Sequence, residues 1–281
     1  MPIPDKYSAV WVSHSSMGDF LKCPRAYFLH NVYKNPKTGR KMAIVGSALS
    51  LGLAVHTTLE DLKLLPLEER MKRDLLADYE KAWGAVSGKK GGFTSADEEA
   101  AYKERGRAMV ERVVKNPGPI ARKTVKLKEA HNGMPQNFYL SEDDNIILCG
   151  LIDWLEYVEA DDTIRVLDFK TGKHEETEGS LQLPIYLLLL NALQKRRVSG
   201  AAYWYLEKDD APIEVKLPGI EEAKEAVLAV ARRVKDAREK KEFVCPRGEG
   251  GCFACRPFEK ILAGEAESIG VVGHGQDGYI V

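Results

Sequence analysis

The chain has 281 residues, 44% hydrophobic and 30% charged, with 41 Lys and Arg against 42 Asp and Glu for a net charge of −1. This composition excludes a wholly disordered chain, and 24 Gly and 13 Pro without a fixed period exclude collagen-like and coiled-coil arrays. A neutral total neither announces nor excludes a nucleic-acid partner, because such binding depends on local patches.

Residues 1–11 hold no basic stretch followed by an apolar run, so no targeting segment is expected and the cytoplasm is the expected location. Ser15 and Ser16, with Asp19 shortly after and Met17, Phe20 and Leu21 between and beyond, predict a capped helix that carries Cys23 and Arg25 in its last turns. A second helix is predicted over 44–64. Residues 66–115 are charged and Ala-rich with helical spacing (Leu67, Met71, Leu75, Tyr79, Ala82), broken by glycines within 88–92, and read as a helical insertion over about 66–120. From about 122 the period changes to two, predicting strands near 122–130, 136–141, 145–158 and 163–170. A helix at 180–197, strands at 200–207 and 212–217, and a long helix at 219–241 follow. Residues 264–281 are Gly-rich, weakly patterned and expected to be loosely ordered. The most apolar stretch, 181–193, contains Gln182, Pro184, Tyr186 and Asn191 and is too short to span a bilayer, so no membrane partner is expected. This order describes an α/β fold, a mixed sheet flanked by helices with a helical insertion.

The chemistry concentrates in Gly150-x-x-Asp153 and Asp168-x-Lys170-Thr-Gly172. On a strand, Asp168 and Lys170 share a face while Phe169 points into the other layer. If Asp153 lies on the preceding strand, a hairpin brings it beside Asp168. Two carboxylates suit a hard divalent cation, and a neighbouring lysine can orient a water or help deprotonate it, which is what phosphodiester hydrolysis requires. Taken singly, each of these residues is an ordinary polar strand end. Together, with Asp153 inside an apolar run where a lone carboxylate is costly, they point to a metal site.

These residues resemble the PD-(D/E)XK nuclease superfamily. Gly150-x-x-Asp153, Asp168-x-Lys170 and Gln182-x-x-x-Tyr186 are similar to its motifs. Gly52-x-x-x-His56 and the early Ser15, Phe20, Cys23, Pro24 and Tyr27 pattern are similar to its RecB-type branch, which includes the CRISPR-adaptation nuclease and helicase-associated exonucleases. The resemblance implies a restriction-endonuclease-like fold; a single nuclease domain is expected over 1–263, with a Gly-rich tail at 264–281. It implies Mg2+ or Mn2+ held by His56, Asp153, Asp168 and the main-chain carbonyl of Phe169. Lys170 would position the attacking water, and Gln182 and Tyr186, four apart on a helix, would contact DNA or support the catalytic site. Glu60 shares the His56 face and would orient its ring. Glu129 is a weaker candidate at a strand end before His131.

Cys23, Cys245, Cys252 and Cys255 form a set that would clamp the two ends of the chain. Four thiolates suit an iron–sulfur cluster or zinc. The resemblance implies a [4Fe–4S] cluster, although here the single Cys245 precedes the Cys-x-x-Cys pair, so Zn2+ stays as the alternative. Cys149 reads as a small buried hydrophobe. Between Lys22 and Lys41, the basic residues Lys22, Arg25, Lys34, Lys37, Arg40 and Lys41 occur with no acidic residue and with Tyr27, Phe28 and Tyr33 interleaved, a pattern suited to single-stranded DNA; Lys195-Arg196-Arg197 is a second basic run.

The expected function is a metal-dependent deoxyribonuclease, an exonuclease on single-stranded or frayed DNA ends, with recombination or repair proteins as further partners. The alternative is an inactive nuclease-like module that binds DNA or a partner. A zinc base deaminase is disfavoured, because the chain lacks a Pro-Cys-x-x-Cys and its only His-x-Glu lies in the polar turn at His174. Lys170→Ala is expected to abolish cleavage and to leave folding and DNA binding largely intact.

Overall fold

The computed structural model describes residues 5–127, 134–177 and 179–281. Glu129 and His131 lie outside the described residues. In chain order come β1 (Val10–Val12), α1 (His14–Lys22), α2 (Pro24–Tyr27), β2 (Met42–Ile44) and α3 (Ser47–Glu60). Next are α4 (Leu67–Arg70), α5 (Leu75–Val86), α6 (Ala96–Lys115), β3 (Gln136–Ser141), β4 (Ile146–Gly150), β5 (Trp154–Val158) and β6 (Thr163–Lys170). The chain continues with α7 (Gln182–Leu193), β7 (Val198–Tyr205), β8 (Ile213–Val215), α8 (Ile220–Lys240), α9 (Arg256–Ala263), β9 (Glu267–Val272) and β10 (Gln276–Ile280). No helix among the described residues is long and apolar enough to cross a membrane.

The elements divide into two compact units, one of Met1–Val45, Pro135–Gly150 and Gly219–Val281, the other of Gly46–Met134 and Leu151–Pro218. The first holds two three-stranded sheets, ordered β1-β4-β3 and β2-β10-β9. Its first helix begins two residues earlier than the Ser15 cap implies. Ser13 is extended, and its Oγ accepts from the Ser16 backbone N–H at 3.2 Å while Ser16 Oγ accepts from the Ser13 N–H at 2.9 Å, a reciprocal capping box. Cys23 ends α1 and Pro24 opens α2, so Arg25 sits on a separate short helix. The tail is a hairpin and not loosely ordered: β9 pairs antiparallel with β10, and β10 pairs parallel with β2. Its glycines mask the alternation yet permit the turn, since Gly273 and Gly275 take φ of +48° and +81°, and a Cβ on Gly278 would lie 2.6 Å from Val272.

The second unit is built on the mixed sheet β5-β6-β7-β8. β6 runs antiparallel to β5 and parallel to β7, the parallel step being made through α7. β6 is central, so its sequence is apolar on both faces: Ile164, Val166, Leu167 and Phe169 are all buried. Leu167, Phe169, Trp154 and Trp204 join α3, α5 and α6 in one core with Leu51, Val55, Tyr79 and Val110. Each buried aromatic there removes on the order of 200 Å² from water, worth roughly 5 kcal/mol. The helices of the insertion thus form a layer of this core.

Two predicted elements change character. Residues 145–158 do not form one strand. β4 ends at Gly150 in one sheet and β5 starts at Trp154 in another, and Leu151 between them is exposed. Of the strand predicted at 122–130, the described residues contribute one isolated bridge, Thr124 to Glu156.

Candidate active site and cysteine centre

In the β5–β6 hairpin Trp154 stands opposite Leu167, so Asp153, in the bend just before β5 and not on a strand, arrives beside Asp168. Asp153 Oδ2 accepts from the Phe169 backbone N–H at 3.0 Å, which fixes the bend to β6. The Phe169 ring fills the opposite layer, against Trp154 and Trp204.

Asp168 is 2% exposed. Its Oδ1 accepts from Gln182 Nε2 at 2.7 Å and from Tyr186 OH at 3.0 Å; one turn apart on α7, these two residues hold the carboxylate and each other (Gln182 Nε2 to Tyr186 OH, 3.2 Å). Lys170 Nζ lies 3.0 Å from Asp168 Oδ2 and 2.9 Å from Glu176 Oε2, donates to Gln182 Oε1, and sits 4.8 Å over the Tyr203 ring. Burial opposes the lysine's charge, but Asp168 and Glu176 outweigh it and raise its pKa, so Lys170 is held as an ammonium. Burial and then the charges of Asp168 and Asp153 keep the Tyr186 phenol protonated, as its donation to Asp168 requires.

His56 on α3 reaches the same place. Its Nδ1 is 3.0 Å from Glu60 Oε1 and 3.5 Å from Asp153 Oδ2. Lys63 Nζ donates to Glu60 Oε2 at 2.8 Å and to the main-chain carbonyl of Asp153 at 3.2 Å, tying the end of α3 to the Asp153 bend. Burial disfavours charge on His56, yet the Glu60 hydrogen bond and the Asp153 charge raise it to about 9. Burial, with Asp168 repulsion second, pushes Asp153 up to about 7. Glu60 is lowered: burial opposes this, and His56 and Lys63 overcome it.

This arrangement fits a divalent cation. Two buried carboxylates repel one another, and Asp168 Oδ2 is buried without a hydrogen-bond donor, meeting Lys170 as an ion pair only. The ligand atoms of His56, Glu60 and Asp153 all lie within 4.8 Å of one another. Oxygen and imidazole donors suit Mg2+ or Mn2+. Glu60, 3.0 Å from His56 Nδ1, holds the imidazole ring in place beside Asp153. Sequence reasoning missed Lys63 and Glu176. Lys63 carried a signal, since it is three residues beyond Glu60 at a helix end. Glu176 carried none, because a loop folds it back onto Lys170.

In the other unit, Cys23, Cys245, Cys252 and Cys255 are all buried, form no disulfide, and place their sulfurs within 4.8 Å of one another. Cys255 Sγ is 3.8 Å from both Cys245 Sγ and Cys252 Sγ. Burial raises the Cys23 thiol to about 12. Burial also opposes ionisation of Cys252, but backbone N–H donors from Cys255 and Ala254 bring it down to about 7. Cys149 stands apart: half-buried, it donates to the Val12 carbonyl at 3.5 Å, and burial raises it to about 11.

Lys22, Lys34, Lys37 and Arg40 are exposed, whereas Arg25 and Lys41 are half-buried. Acidic residues absent from the local sequence arrive through the fold: Glu259 pairs with Arg25 at 2.8 Å and Asp277 with Arg40 at 3.6 Å. Burial, then repulsion from Arg238 and Lys34, lowers the pKa of Lys41. In the second basic run, Arg196 and Arg197 pair with Asp162 (2.7 Å) and Asp161 (3.3 Å) of the β5–β6 turn.

No curated protein matches the chain. A family model described as the PD-(D/E)XK nuclease superfamily matches residues 11–258, a span that includes His56, Asp153, Asp168, Lys170, Gln182, Tyr186 and all four clustered cysteines. The mixed sheet flanked by helices is the restriction-endonuclease-like fold that the motifs imply. The chain belongs to the PD-(D/E)XK nuclease superfamily, whose members are generally metal-dependent hydrolases of nucleic acid.

Proposed function

We propose that this chain is a metal-dependent deoxyribonuclease of the RecB-type branch, acting as an exonuclease on single-stranded or frayed DNA ends, in company with recombination or repair proteins. The observation that carries the reading is the pair of buried carboxylates, Asp153 and Asp168, with the Lys170 ammonium bound against Asp168. Asp153, Asp168, His56 and the main-chain carbonyl of Phe169 would hold Mg2+ or Mn2+. The chemistry such an ion supplies when bound is a lowered water pKa and neutralisation of phosphate charge.

The chain's own groups do the rest. Lys170, held as an ammonium by Asp168 and Glu176, would orient the attacking water and meet developing negative charge in preference to acting as a base. Gln182 and Tyr186 hold one oxygen of Asp168 and turn the other toward the site. Glu60, steadied by Lys63, fixes the His56 ring. Arg238 and Lys34, each close enough to Lys41 to repel it, would supply with it the positive potential that a phosphate backbone relieves.

End-labelled single- and double-stranded oligonucleotides incubated with magnesium, manganese or chelator test this. Stepwise shortening of single strands that needs the metal supports the reading. Uncut DNA with both metals rejects it and leaves a binding module.

A further inference from the structure

We infer that the four-cysteine centre holds one tetrahedral Zn2+ ion and not the [4Fe–4S] cluster that the RecB-type resemblance implies. The spacing of the sulfurs decides between them. With Zn–S bonds of about 2.3 Å, a regular tetrahedron sets its sulfurs about 3.8 Å apart. Cys255 Sγ lies 3.8 Å from Cys245 Sγ and 3.8 Å from Cys252 Sγ, and all four sulfurs fall within 4.8 Å. In a [4Fe–4S] cube each thiolate binds a different iron and points outward, so the sulfurs stand roughly 6 Å apart. A [2Fe–2S] rhomb separates its two thiolate pairs by a similar amount. The centre is too small for either.

The local chain is shaped for the smaller site. Cys252 and Cys255 form a knuckle in which the Cys252 backbone N–H donates to Cys255 Sγ at 3.1 Å, and the Arg247 N–H donates to Cys245 Sγ at 3.5 Å. Gly251 brings the backbone over the sulfur with φ +69°; a Cβ there would stand 3.1 Å from Cys255 Sγ and 2.7 Å from Glu259 Oε2. Arg25 braces the loop from outside by donating to the Glu249 carbonyl at 3.1 Å and to Glu259 at 2.8 Å. Cys23 closes the set from the α1–α2 junction. Zn2+ has no redox change to offer, so the centre ties the N-terminal helices to the α9 segment and carries no electrons.

This inference does not depend on the nuclease reading, because its test measures metal and not cleavage. The full chain is purified anaerobically from cells grown with both iron and zinc, and its zinc, iron and acid-labile sulfide are measured. One zinc per chain, no labile sulfide and no visible colour are expected, with tetrahedral thiolate–cobalt bands after exchange for Co2+. Iron with labile sulfide, iron alone, or a folded chain without metal at this centre overturns the inference. Cys252→Ser should lose the zinc. Should that variant fail to fold, Cys149→Ser, which lies outside the set, still decides: it should retain the full zinc content, and loss of zinc there contradicts the assignment.

Discussion

Replacing Lys170 with alanine separates two contributions of one side chain. Its ammonium contacts Asp168, Glu176 and Gln182, and its side chain is only 16% exposed. Removing it leaves Asp168 Oδ2 buried with no counter-charge while Asp153 remains alongside. Losing one partner of a buried pair costs about 3–5 kcal/mol, and because Gln182 and Tyr186 still bind Asp168 Oδ1, a loss of about 2–3 kcal/mol is expected for the metal-free protein. The lysine is one corner of a buried ionic network and also lies over the Tyr203 ring, so a loss of stability is expected beside the loss of cleavage. Added Mg2+ or Mn2+ should recover most of that stability, since a cation replaces the missing charge. Single-turnover cleavage should still fall by about 10²–10³-fold, the usual consequence of deleting one preorganised charge. Urea melts with and without metal, together with single-turnover rates on labelled DNA, measure both quantities. A variant as stable as the parent without metal, or one that cuts within a few-fold of it, would refute this reasoning.

In the metal-free protein, His56 titrates near 9 against an ordinary 6.5 and Asp153 near 7 against 3.8, so both groups bind protons more tightly folded than unfolded. The stability that these two groups contribute is present in acid and is lost as pH rises, through Asp153 up to about 7 and through His56 up to about 9; chemical melts across pH 5–10 should show this loss. Metal binding must displace those protons, so Mn2+ affinity should climb about tenfold per pH unit between 7 and 9, by calorimetry, and a flat profile would contradict the ligand set. Tyr186→Phe, which removes a buried donor to Asp168, should lower stability by about 1–2 kcal/mol and slow cleavage without changing DNA affinity. Gly106→Ala would place a Cβ 2.3 Å from Tyr79 OH where α5 meets α6, and should cost about 1–3 kcal/mol in thermal melts.

Much of the candidate site's geometry was legible because it is short-range. Asp168 and Lys170 share a strand face, Gln182 and Tyr186 share a helix face, and His56 and Glu60 do likewise; periods of two and 3.6 place each pair. The strand at 163–170 and the helix at 219–241 were found nearly to the residue, since both are long and strongly patterned. The failures are long-range or glycine-driven. Nothing local shows that Glu259 and Asp277 return to Arg25 and Arg40, so the acid-free stretch reads as more basic than it is in space. The break between β4 and β5 hides in a continuous apolar run, and the β9–β10 hairpin hides behind glycines that its turn needs. The size of the cysteine centre is a distance, and spacing along the chain does not carry it.

Diffraction from crystals soaked in Mn2+, recorded at the manganese edge, bears on the hydrolytic centre most directly. The account predicts an anomalous peak bound by Asp153, Asp168 and His56, absent in Asp168→Asn. No peak between the two carboxylates, or one undiminished in that variant, would contradict it.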